Sequence, residues 1–185
     1  MATEKQDRKL EMDLVALLAR SFPGMTVEAR HSKRWDRMCL TFRWAGFAGL
    51  LPEERFRRLL GVISESFREE RLSGCVWLEL AQGETIDQFL KMPRSEDIAD
   101  REQAIFAELQ DRGFFDALRR ALKPTPTKAC KGDFSSTGSA LSKGRSTDKV
   151  TQDAKLLFIR HGAYCDCQVL AEVEPALSKL SVGAA

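Results

Sequence analysis

A chain of 185 residues has room for one ordinary domain and an appendage. Its 43% hydrophobic and 30% charged residues are typical of a globular protein, and its net charge of +2 is too small to indicate nucleic-acid binding by itself. The apolar runs are short and the N-terminus lacks a signal-peptide pattern, so we expect a cytoplasmic protein without membrane association. Five cysteines, an odd number, favour reduced thiols over a disulfide framework.

The first predicted element is a helix near the N-terminus. Leucines at i, i+4, i+7 and i+8 from Leu10 predict an amphipathic helix that ends at Pro23-Gly24. Alternation then predicts a strand over 26–31 and, after a polar turn, a second strand. The second strand carries its core residues at every other position, namely Met38, Leu40, Phe42 and Trp44.

A long helix and a third strand follow. Pro52 suits a first helical turn, and an apolar face is predicted over Phe56, Leu59, Leu60, Ile63 and Phe67. Ser73-Gly74 ends this helix, and residues 75–81 predict a strand with Val76, Leu78 and Leu80 facing inward. Thr85 and Gln88 form a capping-box pattern for a short helix.

These elements predict the domain organisation. Residues 8–93 have the order αββαβα, which gives an α+β fold with helices on one face of a three-stranded sheet. Residues 95–122 form a helical extension, with Ser95 capping its first helix. Residues 123–151 are rich in Lys, Ser, Thr and Gly and predict a flexible linker. Residues 153–185 form a small helical segment around Cys-Asp-Cys.

The N-terminal half resembles the BolA family, which is related to type II KH domains. Phe47-Ala48-Gly49 matches the family's F-x-G, and Arg55-Phe56-Arg57 stands where the family has R-H-R. The resemblance implies an αββαβα fold and an iron–sulfur cluster shared with a monothiol glutaredoxin. Phe56 replaces the ligating histidine, however, and helical periodicity assigns it to the core; His31 is the only other candidate ligand nearby.

Basic residues cluster around the predicted hairpin and the next helix. Arginine binds phosphate bidentately and stacks on bases, and Trp35 and Trp44 are interleaved with these side chains. An RNA-binding surface is therefore one hypothesis, and a solvated face balanced by nearby glutamates is the alternative. The candidate contacts are Arg34, Arg37, Arg43, Arg55 and Arg57.

A second cluster of reactive residue types lies near the C-terminus. Arg160-His161-Gly162 has the form of the histidine-phosphatase motif, but that motif follows the first strand of a large sheet, which has no place here. His161, Cys165 and Cys167 could hold zinc or another soft metal if a fourth ligand, such as Cys130, were added. Buried packing thiols and a redox-active dithiol are the alternatives.

The stretch from His161 to Val173 is similar to an H-G-x-Y-C-D-C signature of uncharacterised bacterial domains, with Gln168 in place of Glu. That resemblance implies no activity. The sequence lacks a nucleophile–base pair, paired carboxylates and a phosphate loop, so we expect a non-enzymatic protein-interaction or adaptor module, with a metal or iron–sulfur role left open. RNA binding and thiol redox chemistry are the alternatives.

Overall fold

A computed structural model describes residues 2–122, 131–142 and 148–182. The chain divides into two compact units, Met1–Pro93 and Arg94–Ala185, called here the N-terminal and C-terminal units. The α+β fold class predicted from the sequence is confirmed, since the N-terminal unit contains one three-stranded sheet among helices. Among the described residues, no helix combines the length and apolar character needed to cross a membrane.

The N-terminal unit follows the predicted order of elements with one difference. Its elements are α1 (Ala2–Leu18), β1 (Thr26–Ser32), β2 (Arg37–Arg43), a 3₁₀ turn (Ala45–Phe47), α2 (Pro52–Leu60), α3 (Glu65–Arg71), β3 (Val76–Leu80) and α4 (Ile86–Leu90). The long helix predicted over this region is thus two helices. Gly61 caps the end of α2, and the Ser64 side chain accepts a hydrogen bond from the Phe67 amide to begin α3.

The sheet has the order β1-β2-β3. β1 and β2 are antiparallel, with Ala29 opposite Leu40, whereas β2 and β3 are parallel, with Leu40 beside Trp77. Side chains of adjacent paired residues point to the same face of a sheet, and those of consecutive residues point to opposite faces. Leu40 and Trp77 therefore share one face, while Leu78 and Leu80 lie on the other.

Both faces of the sheet carry a core, which corrects the prediction of helices on one face only. On the first face, Leu14 and Leu18 of α1 and Leu59 of α2 pack with Leu40 and Phe42. On the second face, β3 is covered by α4 in a smaller cluster of Cys39, Leu78, Leu80 and Phe89. Of the inward residues predicted for β3, Leu78 and Leu80 are buried and Val76 is half-buried, and all three lie on the side away from Leu40.

The C-terminal unit is helical in its described residues. It contains a 3₁₀ turn (Ser95–Ile98), α5 (Glu102–Asp111), α6 (Phe114–Ala121), α7 (Ser135–Ser142), α8 (Asp148–Arg160), α9 (Asp166–Gln168), a π-helical turn (Val169–Val173) and α10 (Glu174–Val182). Aromatic rings join these helices: Phe114 of α6 stacks on Phe158 of α8, with ring centroids 5.6 Å apart.

The structure corrects two predicted boundaries in this unit. The predicted flexible linker over 123–151 contains α7 and the first turn of α8, and Phe134 and Leu141 are buried. Residues 123–130 and 143–147 of that linker lie outside the described residues. The predicted helical extension and the C-terminal segment also belong to one compact unit, because Phe106, Phe115 and Phe158 form a chain of ring contacts through Phe114.

Candidate functional site

An open groove lies beside the β1–β2 turn on the second face of the sheet, and is called here the hairpin groove. Its volume is about 670 Å³. The residues that line it come from the turn, from the end of β2 and from the β3–α4 loop: Ser32, Arg34, Trp35, Arg43, Gly83, Glu84, Thr85, Ile86 and Asp87. The groove therefore brings together two of the predicted RNA contacts and one of the interleaved tryptophans.

Strand alternation explains why arginines gather on this face. Met38, Leu40 and Phe42 point to the first face, so Arg37 and Arg43 of β2 point to the second. Arg30 lies opposite Cys39 in the antiparallel register and shares that face. Because α4 packs on β3, the second face is helix-covered at β3 and presents the basic residues of β1 and β2 to the solvent.

Trp35 forms one wall of the groove. It is half-buried and packs against the small cluster around Leu78 and Phe89. The Arg34 guanidinium lies over its indole ring, 5.3 Å from the ring centroid. Arg34 is 59% exposed, so its outer side faces the solvent. A guanidinium held over an indole makes a platform that a base or another planar group could extend.

The charges in the groove are partly compensated. Arg43 donates from Nη1 to the Glu84 carbonyl over 2.9 Å, which holds its guanidinium at the groove edge. Arg34 forms a long, exposed ion pair of 3.5 Å with Asp87, and such pairs contribute little to stability. The Glu84 carboxylate is neutralised from below by Arg55, over 2.5 Å. Two arginines and two carboxylates therefore line the groove, and the buried Arg55 beneath Glu84 adds a further positive charge.

The prediction that Arg55 contacts RNA is corrected by the structure, because the side chain is buried. Its side chain is only 2% exposed, so a nucleic acid cannot reach it. It instead ties α2 to the β3–α4 region, donating to the carbonyls of Leu50 and Glu79 and to both carboxylate oxygens of Glu84. Burial raises the pKa of Glu84, but hydrogen bonds from Arg55 and the Ala81 amide, with the charges of Arg55 and Arg43, lower it by more.

Phe56 differs from its prediction in the opposite direction to Arg55. The sequence assigns it to the core, but it is 41% exposed and makes an edge contact with the Trp77 ring, with centroids 5.4 Å apart. The face of α2 that packs inward is the one that carries Arg55 and Leu59. Arg57 lies on the same helix and is exposed, but it does not line the groove.

The Arg160-His161-Gly162 motif ends a helix and binds a carboxylate. Arg160 Nε donates to Glu102 Oε2 over 2.8 Å, and His161 Nε2 lies 2.7 Å from Glu102 Oε1. Burial raises the pKa of Glu102, but the hydrogen bonds and charges of these two partners lower it by more. Gly162 has a φ of +81°, the left-handed conformation that commonly ends a helix. The motif thus joins α8 to the start of α5.

The Cys-Asp-Cys stretch is organised around its aspartate. Asp166 is fully buried, and its carboxylate accepts hydrogen bonds from the Ser136 amide, the Thr137 amide and the Thr137 hydroxyl, over 2.7, 2.9 and 2.6 Å. Asp166 therefore caps α7 from 29 residues away. Sequence reasoning missed this role, since nothing local signals which amides a distant carboxylate will reach.

The predicted metal ligands do not converge. Among the residues that the structure describes, no group of three or more His, Cys, Asp or Glu side chains is arranged to hold a metal ion. His161 is bound to Glu102, while Cys165 and Cys167 lie close to each other, with 3.2 Å between their sulfurs. Cys130, the predicted fourth ligand, lies outside the described residues. Near the hairpin, His31 is 60% exposed and 3.8 Å from Asp36.

Comparison with known proteins gives no relative. No family model matches the chain, and searches of curated proteins and of solved structures return no significant match. The BolA resemblance of the N-terminal half and the similarity to the C-terminal signature therefore stay predictions.

Proposed function

We propose that the N-terminal unit is a cytoplasmic, non-enzymatic binding module for single-stranded RNA, with the hairpin groove as its binding site. The observation that supports this most directly is the meeting of Arg34, Trp35 and Arg43 around one open groove of about 670 Å³. These are the side-chain types that single-stranded nucleic acids require: an aromatic ring for a base and guanidinium groups for phosphates.

The arrangement assigns a role to each group. A base stacks on the platform of Trp35 and Arg34, because every base has a π-face and the outer side of Arg34 faces the solvent. Arg43 is held at the groove edge and binds a phosphate there. Arg37, which is exposed on the same sheet face, adds a cation along the strand direction, whereas Arg30 is paired with Glu28.

The protein-interaction hypothesis has a less specific basis. Large apolar side chains are exposed on three helices of the N-terminal unit, with Met12 on α1 the most exposed at 68%, Phe56 on α2 and Leu90 on α4. An adaptor role, the family resemblance and its iron–sulfur partner remain compatible with these residues. None of the three has a described site as well defined as the groove.

The test is fluorescence anisotropy of a labelled single-stranded RNA of about ten nucleotides, a length within the usual footprint of small single-strand binders. Removal of the stacking ring in Trp35→Ala should weaken binding about 5- to 150-fold, which corresponds to roughly 1–3 kcal/mol. For a site with about three phosphate contacts, the slope of log K against log salt should be about −2.

Two double variants separate the groove from general charge. Arg34→Glu with Arg37→Glu changes one residue of the groove and one on the adjoining sheet face, and should abolish binding. Arg57→Glu with Arg58→Glu makes the same charge change on α2, outside the groove, and should retain most of the affinity. Equal losses in both pairs would mean that the groove is not the site. An absence of binding at about 50 mM salt, where phosphate contacts are strongest, would refute the proposed function itself.

A further inference from the structure

Two half-buried thiols flank Asp166 at the start of α9. The sulfurs of Cys165 and Cys167 lie 3.2 Å apart, within hydrogen-bond contact, and the residues are not joined by a disulfide. A disulfide bond requires a sulfur–sulfur distance of about 2.05 Å, so a shift of little more than 1 Å separates this pair from bond formation.

The surrounding contacts hold this pair in place. The Asp166 amide donates to the Asp133 carbonyl over 3.0 Å, and its carboxylate is fixed to the first turn of α7. On the other side, the Gln168 side-chain oxygen accepts from the Tyr164 amide and from the Cys165 thiol. These contacts hold the backbone on both sides of the two cysteines, so the fold keeps their side chains within reach of each other.

We propose that Cys165 and Cys167 form a reversible dithiol site that a low-molecular-weight disulfide oxidises to an intramolecular disulfide. One cysteine, as its thiolate, attacks a sulfur of the small disulfide, forms a mixed disulfide and releases one small thiolate. The second cysteine then attacks the protein sulfur of the mixed disulfide, forms the Cys165–Cys167 bond and releases the second small thiolate. The two protons lost by the cysteines go to the two released thiolates, and the small disulfide is the only oxidant.

The described cysteines of the N-terminal unit provide an internal contrast. Burial raises the pKa of the Cys39 thiol, and burial together with the neighbouring Cys39 raises that of Cys75. The thiolate is the reactive form, so both are poor nucleophiles at neutral pH. The sulfur–sulfur contact of 3.2 Å belongs to Cys165 and Cys167. The dithiol site should therefore be oxidised first.

The experiment uses the full chain with Cys130→Ser, which leaves four of the five cysteines, all of them described. The protein is equilibrated in buffers of increasing ratio of oxidised to reduced glutathione, quenched with acid, alkylated and weighed intact. We expect two alkylation sites to disappear together, with no mass increase from bound glutathione. The two lost sites should map to the peptide that contains Cys165 and Cys167. Alkylation of both cysteines at every ratio, or glutathione bound to each without a link between them, would overturn the proposal.

Single variants test the two-step exchange. Cys165→Ser and Cys167→Ser each leave one thiol without its resolving partner, so the mixed disulfide with glutathione should accumulate on the remaining cysteine. Cys75→Ser is the matched control and should still form the intramolecular bond. Far-UV circular dichroism and thermal midpoints equal to those of the parent show that the variants fold. A mixed disulfide that accumulates equally in the Cys75→Ser control would contradict the assignment.

Discussion

The buried Arg55–Glu84 pair should be the largest single polar contribution to the stability of the N-terminal unit. Arg55 Nη1 and Nη2 lie 2.5 and 3.2 Å from the two Glu84 carboxylate oxygens, and the Arg55 side chain is 2% exposed. Glu84→Ala removes the only carboxylate in this contact and leaves the guanidinium with the Leu50 and Glu79 carbonyls, which cannot neutralise its charge. The Ala81 amide also loses its acceptor, which is 2.8 Å away.

The magnitude follows from these contacts. Removal of one partner of a buried ion pair costs about 3–5 kcal/mol, because the other charge stays buried without compensation. Glu84 is 15% exposed, so water can enter the space that it leaves, and we expect the lower end of that range, about 3 kcal/mol. Asp87→Ala is the matched control, since it removes a carboxylate from the same loop whose 3.5 Å pair with Arg34 is exposed and contributes about 0–1 kcal/mol.

Urea unfolding followed by tryptophan fluorescence measures this difference in the N-terminal unit. All three tryptophans, Trp35, Trp44 and Trp77, lie in the N-terminal unit, so their fluorescence reports its unfolding directly. A free energy of unfolding for Glu84→Ala within about 1 kcal/mol of that for Asp87→Ala would refute the reasoning, because the pair would then behave as a surface ion pair.

The other predictions concern the same interactions and the C-terminal unit. The pKa of Glu84 is lowered in the folded state, so the ionised carboxylate contributes its full stabilisation above the ordinary pKa of 4.5. That stabilisation is lost as the pH falls through the lower pKa of the folded state. Glu84→Gln should reduce this acid-induced loss of stability, measured in urea titrations at several pH values. Asp166→Ala should destabilise the C-terminal unit by about 2–4 kcal/mol through lost hydrogen bonds to α7, measured by circular dichroism against the exposed control Glu172→Ala. Gly162→Ala should cost about 1–2 kcal/mol in the same assay, because its φ of +81° is strained for a residue with a Cβ although no atom would block that Cβ.

Local patterns were sufficient to predict most individual elements. The alternation that predicts β2 reflects a half-buried strand, and the Thr85–Gln88 capping box is present, with the Gln88 amide donating to Thr85 Oγ1 over 3.2 Å. The side of β3 that meets the main core could not be predicted in this way. That side depends on the parallel register with β2, which is a pairing between residues about 37 positions apart and leaves no trace in the periodicity of β3 itself.

Arg55 is buried and Phe56 is exposed, the opposite of what was predicted, for a similar reason. Phe56, Leu60 and Ile63 share one side of a helix only if that helix continues, and α2 ends at Leu60. Once the helix is broken, the inward face is set by what lies beneath it, and here Glu84 and two carbonyls can satisfy a guanidinium. Arg34 and Arg43 could be predicted together because one hairpin joins them, but the β3–α4 loop that completes the groove could not.

The C-terminal motif shows why reactive residue types do not by themselves define a reactive site. Arg160 and His161 resemble a phosphate-binding pair, but both are directed at Glu102, which lies 58 and 59 residues earlier in the chain. That carboxylate satisfies both side chains, so neither phosphate nor metal is needed to account for them. Asp166 accounts in the same way for the centre of Cys-Asp-Cys. The Cys165 and Cys167 sulfurs, 3.2 Å apart, are not accounted for by either carboxylate, and the chemistry of this segment should therefore be sought in the dithiol.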